Sequence, residues 1–134
     1  MVCLYCGHDT QVINSRHQRR TNQVWRRRRC VSCKSIFSTL EASDLPLALS
    51  FSRSQNALEP FLRDKLFLSI YEACKHRKTA IADATALTDT VLSKLQPHIS
   101  NATVTRASVI EITSQILKRF DKAASVYYLA YHSL

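Results

Sequence analysis

The chain has 134 residues, of which 46% are hydrophobic, and it carries a formal net charge of +9. This composition suits a protein with a buried core, and no apolar run approaches the roughly 20 residues of a membrane-spanning helix, so we expect no membrane partner. The N-terminus lacks the basic and apolar segments of a secretory signal, so we expect a cytoplasmic protein whose cysteines stay reduced.

Charge and composition both change near residue 45. Residues 1–45 hold eight Lys+Arg and three Asp+Glu, a net of +5, whereas residues 46–134 hold eleven and seven, a net of +4. The first part is rich in Arg and Cys, and the second brings Leu, Ala, Ile and Val at helical spacing. We therefore predict two domains, 1–45 and 46–134, with a boundary at about Ser43–Pro46.

Three short segments of the first part read as strands, since β-branched and aromatic residues recur in them between polar clusters. The polar stretch Gln18–Gln23 separates the first two and reads as a hairpin loop. The predicted strands are Gln11–Ser15, Val24–Arg29 and Ile36–Leu40.

Four of the five cysteines form two Cys-x-x-Cys pairs, Cys3 with Cys6 and Cys30 with Cys33, separated by 23 residues. Zn²⁺ prefers four tetrahedral ligands, and this spacing is typical of zinc knuckles. Gly7, the only glycine in the chain, follows the first pair, where a knuckle turn needs a permissive backbone. The alternatives are unrelated buried cysteines or a redox pair, but a redox pair needs a βαβ context that is missing.

The zinc ion is expected to be structural, because four protein ligands leave no open position for chemistry. Since the first part has few aliphatic residues, its folding should depend on the metal. His8 could replace a cysteine as ligand, although a role as a solvated neighbour is favoured. Cys74 lies on a predicted helix and is expected to be a small buried hydrophobe.

A run of arginines, Arg26–Arg29, abuts the second knuckle, and Arg16, Arg19 and Arg20 precede it by a hairpin's length. Arginine binds phosphate bidentately and reads guanine edges. In a strand, alternate members of the run face opposite ways, so one pair is expected to read bases and the other to hold phosphates. A solvated basic face and a site for an acidic protein remain as alternatives.

The second part opens with Leu45–Ser52, a possible strand, and continues with four helical patterns that suggest a small bundle. Thr105 and Asp121 are suited to cap the third and fourth helices. Pro97 and His98 should end the second helix. The predicted helices cover about residues 61–76, 80–96, 105–120 and 121–132.

Motifs along nearly the whole chain resemble the NrdR family, bacterial repressors of ribonucleotide reductase genes. In the first part these are the Cys-x-x-Cys-Gly knuckle, Val12–Arg16, the segment from Arg26 to Cys33, and Phe37-Ser38-Thr39-x-Glu41. The second part is similar to the ATP-cone domain of that family. The residues carrying this likeness are Glu59-Pro60-Phe61, Lys65-Leu66, Arg77 and Asp121–Ala124.

The resemblance implies an α+β fold: a small N-terminal zinc ribbon of short antiparallel strands, then a mainly helical ATP-cone-like domain with about four helices and a short β-hairpin. It also implies a function. The cone would bind ATP or dATP, the nucleotide would change a homo-oligomer, and one oligomer would present its ribbons to double-stranded DNA at ribonucleotide reductase promoters. Such a protein is nucleoid-associated and is not an enzyme.

Functional residues transfer unevenly. The zinc ligands carry over completely, Arg16 and Arg26–Arg29 carry over as DNA contacts with Arg19 beside them, and the candidate nucleotide ligands are Arg53, Lys65, Arg77 and Tyr128. The family's Val-x-Lys-Arg-Asp-Gly turn is replaced by Phe51–Asn56, in which a left-handed Asn56 is expected to preserve the hairpin. A DNA-binding module with a degenerate cone, and an accessory domain of an enzyme, are the alternative functions.

Overall fold

A computed structural model describes residues 1–132 of the chain. It contains two compact units, residues 1–43 and the part that begins at Asp44. Within the described range, no helix is both long and apolar enough to cross a membrane.

The first unit is a three-stranded antiparallel sheet of β1 (Thr10–Gln18), β2 (Gln23–Cys30) and β3 (Ile36–Glu41), in that order. The predicted strands are present and longer than expected, and the β1–β2 turn places Asn22 in the left-handed region with a φ of 52°. A bulge between Val12 and Asn14 shifts the register of β1 against β2.

Within residues 44–132, the second unit combines five α-helices with a small mixed sheet. The strands are β4 (Ser50–Ser54), β5 (Ala57–Pro60) and β6 (Thr103–Thr105), and the helices are α1 (Leu45–Ala48), α2 (Arg63–Cys74), α3 (Ala80–Leu95), α4 (Arg106–Phe120) and α5 (Lys122–Tyr131). The sheet order is β5-β4-β6. A 3-10 turn at Gln96–His98 ends α3, where the sequence predicts the end of this helix.

The core of the second unit lies where α2, α3, α4 and α5 meet over the sheet. Its members follow the helical spacing of the sequence, and Cys74 is fully buried among them, as predicted. Burial of an aliphatic side chain stabilises by about 1.5–3 kcal/mol. The largest fully buried aliphatic side chains are Ile70, Val91, Leu95, Val104 and Leu117.

Side-chain caps fix the starts of the last two helices. The Thr105 hydroxyl accepts a hydrogen bond from the Ser108 N–H at 3.2 Å. Asp121 Oδ1 accepts from the N–H groups of Ala123 and Ala124, at 2.9 and 3.2 Å. Both capping predictions are confirmed, and each cap satisfies donors that a helix start leaves unpaired.

Two local predictions are wrong. Leu45–Ser52 is not one strand, because Leu45–Ala48 forms a single helical turn before β4 begins. Pro46 lies in that first turn, where its fixed φ suits a helix. The hairpin between β4 and β5 survives the altered turn, but Asn56 is not in the left-handed region.

The predicted α+β class is confirmed: antiparallel strands bring four cysteines together, and a mainly helical part follows. The additions are α1 and β6, which pairs with β4 in parallel register. Both elements are too short for a periodic pattern to reveal them.

Candidate metal centre, nucleic-acid surface and ligand cavity

Four cysteine sulfurs converge at one end of the three-stranded sheet. The Sγ atoms of Cys3, Cys6, Cys30 and Cys33 all lie within 4.8 Å of one another. Cys3 Sγ is 3.7 Å from Cys33 Sγ, and Cys6 Sγ is 3.4 Å from Cys30 Sγ. A tetrahedral ion with zinc–sulfur bonds of about 2.3 Å separates its sulfurs by about 3.8 Å. The cluster therefore fits a zinc ion.

Each knuckle depends on a left-handed residue directly after its second cysteine. Gly7 has a φ of 76°, as its place in the sequence suggested, and its N–H donates to the Cys3 carbonyl at 3.0 Å. Lys34 holds the equivalent position with a φ of 64°. In the sequence, only the internal symmetry of the two knuckles points to this role of Lys34.

Backbone N–H groups point at the sulfurs of Cys3 and Cys30. The Tyr5 N–H lies 3.4 Å from Cys3 Sγ, and those of Ser32 and Cys33 lie 3.3 and 3.4 Å from Cys30 Sγ. Hydrogen bonds to thiolates stabilise the negative charge that a metal ligand requires. The knuckle backbone is thus shaped to hold anionic sulfur.

The pKa values of Cys6 and Cys33 are shifted in opposite directions. Hydrogen bonds from the side chain and backbone of Ser35 lower the pKa of Cys33 to about 6. The backbone of His8 also lowers the pKa of Cys6, but the hydrogen bond to Cys30, burial and the other thiols together raise it to about 11. A coordinated divalent cation would favour the ionised form of both thiols.

His8 lies beside the cluster. Its Nδ1 is 3.3 Å from Cys6 Sγ, and the residue is exposed. With four sulfurs already able to complete a tetrahedron, His8 fits the role of hydrogen-bonding neighbour.

The arginine run lies on β2, the central strand of the same sheet, so it has residues opposite it on both β1 and β3. Arg27 and Arg29 are opposite Ser38 and Ile36 on β3, and the four side chains are exposed. Arg26 and Arg28 are partly buried and are opposite Thr39 and Phe37. Directly opposed residues of an antiparallel pair lie on the same face. The run therefore splits into two faces, as its alternation predicts.

The two faces differ in what covers them. We call the side bearing Cys30 the knuckle face; there the Phe37 ring meets the largely exposed Tyr5 ring edge-on, with centroids 6.2 Å apart. The other side, the open face, carries Arg16, Trp25, Arg27, Arg29, Ile36, Ser38 and Leu40. Arg19 lies in the exposed turn after β1.

A separate cavity of about 220 Å³ opens in the second unit between the β4–β5 hairpin and helices α2, α4 and α5. Three of the four candidate nucleotide ligands, Arg53, Lys65 and Tyr128, line it. Phe51, Phe61, Leu66, Val109 and Ile110 supply apolar walls. Lys65 Nζ lies 3.7 Å from a carboxylate oxygen of Glu59, which also lines the cavity.

Arg77, the fourth candidate, is not among the cavity residues. Its guanidinium donates to Asp83 Oδ2 at 2.9 Å and to Asp121 Oδ2 at 3.1 Å. It also lies over the Phe120 ring, 4.5 Å from the centroid. Two carboxylates and an aromatic ring thus occupy this side chain, and it ties the ends of α2 and α4 to the starts of α3 and α5.

Arg106 and His132 also line the cavity. Neither of these basic residues was predicted from the sequence as a ligand. Arg106 begins α4, and a cation in the first turn opposes the helix dipole. That unfavourable placement is a sequence signal that a search for anion ligands could use. Burial and the nearby charge of Arg106 lower the pKa of His132.

Comparison with known proteins agrees with these features. Residues 1–41 match the family model described as "Transcriptional repressor NrdR-like, N-terminal domain", a zinc ribbon. Proteins named transcriptional repressor NrdR from Tropheryma whipplei and Methylibium petroleiphilum are each 32% identical over 127 residues; the alignments cover 94% of this chain and 83% and 85% of the relatives. The relative of that name from Nitrosomonas europaea is 32% identical over 132 residues, 95% of this chain and 82% of its own. The chain therefore belongs to the NrdR family of transcriptional repressors.

Proposed function

We propose that this protein is a nucleotide-responsive transcriptional repressor that binds double-stranded DNA at ribonucleotide reductase promoters. Residues 1–45 bind the DNA, and residues 46–134 bind ATP or dATP and form the homo-oligomer. The observation that carries the proposal is the four-cysteine cluster at the end of a sheet whose central strand holds four consecutive arginines. Such a protein acts in the cytoplasm, at the nucleoid.

Zinc has a structural role in this proposal. Bound by Cys3, Cys6, Cys30 and Cys33, it joins the two knuckles and so holds β2 between its neighbours. Four thiolates leave the ion no open position, so it performs no chemistry. The metal supplies the stability that a unit with few buried aliphatic side chains lacks.

The proposed DNA-binding element is the arginine-bearing ribbon, which holds Arg16, Arg19 and the run Arg26–Arg29. Phosphate contacts by arginine release counterions, so binding should weaken steeply as salt rises. A major groove admits a two-stranded β-ribbon, and β1 paired with the basic strand β2 forms such a ribbon.

The cavity of the second unit is the proposed nucleotide site, with Arg53, Lys65, Arg106 and Tyr128 as ligands. Arg77 is left out because its guanidinium is engaged by Asp83 and Asp121. Sites for drug-sized ligands usually enclose roughly 300–1,000 Å³. A cavity of about 220 Å³ suits the base and sugar, and the basic residues of its lining would hold the phosphates.

Regulation requires that the nucleotide bind two oligomeric states with different affinities. ATP and dATP would then favour different assemblies, of which one presents its ribbons to DNA. A high concentration of dATP would thereby repress the ribonucleotide reductase genes, on which the synthesis of dATP depends.

The test is binding of the protein to the promoter of the organism's own ribonucleotide reductase genes. Fluorescence anisotropy with dATP, with ATP and with neither should give nucleotide-dependent affinity, and scattering should give a mass that changes with the nucleotide. Absence of DNA binding under all three conditions contradicts the proposal.

A second function has a specific observation in its favour. The hairpin between β4 and β5 forms without the family's Asp-Gly turn. This departure suits a zinc-ribbon DNA-binding module whose cone no longer senses nucleotide. Constant DNA affinity, with no heat on titration of either nucleotide, would support this alternative.

A further inference from the structure

We propose that the arginine run divides its work by face: Arg27 and Arg29, with Arg16 on β1, contact the DNA, whereas Arg26 and Arg28 position the ribbon. This inference rests on the proposed DNA-binding function and assigns roles within that surface. It replaces the expectation that both alternate pairs of the run touch nucleic acid.

The open face offers free cations. Arg16, Arg27 and Arg29 are exposed, and within residues 1–132 none of them lies within ion-pair distance of a carboxylate. The β-sheet residues beside them on this face carry no negative charge: Gln11, Asn14, Trp25, Ile36, Ser38 and Leu40. An anion approaching this face therefore meets guanidinium groups without displacing a protein partner.

The spacing of these arginines suits a duplex. Two residues along a strand are about 6.8 Å apart, which separates Arg27 from Arg29. Successive nucleotides of one DNA strand rise by about 3.4 Å, so the pair spans about two steps. Arg16, opposite Trp25 on the neighbouring strand, extends the row toward the β1–β2 turn.

The knuckle face engages its arginines within the protein. Arg26 Nη1 lies 3.4 Å from Glu41 Oε1, so the ion pair joins β2 to the end of β3. Arg28 Nη1 donates to the Thr10 hydroxyl at 3.2 Å, and that hydroxyl in turn donates to the Met1 carbonyl. Arg28 therefore ties the segment before the first knuckle to the central strand.

Partial burial and a hydrogen bond hold Arg28 in that place. Its Nε is buried and has no hydrogen-bond partner in the described part of the chain. To reach a phosphate, the guanidinium would have to leave the Thr10 hydroxyl and move its Nε from this buried position. Arg28 lies two residues before Cys30, so its position helps set the strand that carries this zinc ligand.

The test compares alanine variants of the full-length, zinc-loaded protein. R27A and R29A should each weaken binding to the promoter duplex about tenfold and lower the salt slope by about 0.9 for each phosphate that the variant no longer neutralises. Their zinc content and melting temperature should equal those of the wild type. K118A removes an exposed charge from α4 and serves as the matched control, with affinity within about twofold of the wild type.

R26A and R28A should show the converse behaviour. Both should lose zinc to a chelator faster and melt earlier, yet bind DNA within about twofold of the wild type at saturating zinc. R26K, which can keep the pair with Glu41, should recover the melting temperature.

Two results overturn the division of roles. One is a tenfold loss of DNA affinity in R26A or R28A with zinc content and melting unchanged. The other is normal DNA binding by R27A and R29A. If the wild type binds no duplex, the proposed function itself fails; if it binds and all four variants weaken alike, only the division by face fails.

Discussion

Asp121 shows how much one side chain can organise. One carboxylate oxygen caps α5, and the other accepts from Arg77 at 3.1 Å and lies 2.8 Å from His76 Nε2. Since these partners favour the charged form, first His76 and then the Ala124 N–H and Arg77, the pKa of Asp121 is lowered to about 2. One carboxylate thereby links the start of α5 to the segment that follows α2.

The helical unit should consequently be acid-sensitive at Asp121. The folded pKa lies below the ordinary value of 3.8, so the stabilisation is present above about pH 4 and is lost as pH falls toward 2. Asp83, whose pKa is lowered by Thr79 and Arg77, adds a contribution of the same sign. Thermal melting monitored by circular dichroism should show this decline.

D121N separates the two roles of this residue, because asparagine still caps a helix but carries no charge. The variant should melt below the wild type at pH 7 and approach it at pH 2, whereas D121A should melt lower at both. Equal pH profiles for D121N and the wild type would show that the ion pairs do not contribute.

Substitutions of Arg106 and Arg77 should have contrasting effects on nucleotide affinity and on the melting temperature. If Arg106 binds phosphate, R106A should weaken binding of ATP or dATP about tenfold, measured by calorimetry, with little change in melting. R77A should instead lower the melting temperature and leave nucleotide affinity within about twofold, since Arg77 does not line the cavity. The reverse pattern would return Arg77 to the site and remove Arg106.

Among the secondary-structure elements, the helices were predicted best from the sequence. Apolar residues at helical spacing locate α2, α3, α4 and α5 to within about two residues, and Thr105 and Asp121 mark two of their starts. The helical turn α1 and the three-residue strand β6 were not predicted. β6 is a strand because it pairs with β4, which is distant in the sequence.

The core position of Leu117 on α4 gives a prediction for that helix. Leu117 is fully excluded from solvent, so L117A should destabilise the helical unit by about 2–5 kcal/mol through reduced burial and a cavity. Chemical denaturation would measure the loss. K118A, on the exposed neighbouring position, should change the stability by less than about 0.5 kcal/mol.

For the whole molecule, the metal centre was predictable and the cavity was not. The spacing of the four cysteines is enough to predict their convergence, since a two-residue spacer brings the thiols of a knuckle to one ion. The cavity gathers residues from β4, α2, α4 and α5, which no local pattern connects, so Arg106 and His132 were missed.

The two units should respond differently to a chelator. In the first unit the buried apolar residues among those described are Cys3 and Cys30, whereas a continuous apolar core supports the second. Zinc removal should therefore abolish the β signal and amide protection of residues 1–43 and leave the helical signal intact. Hydrogen exchange measured by mass spectrometry resolves the two parts; protected amides in metal-free residues 1–43 would contradict the expectation.

The parallel pairing of β4 with β6 has a consequence for synthesis on the ribosome. Ser50 pairs with Thr103, so translation must add 53 residues, the difference of the two positions, before the sheet can close. At roughly 5–20 residues per second, this takes about 3–10 s. During that time the newly made β4–β5 hairpin presents an uncovered strand edge, so its protection by a chaperone, or by early docking of α2 and α3, would govern the yield of folded chains.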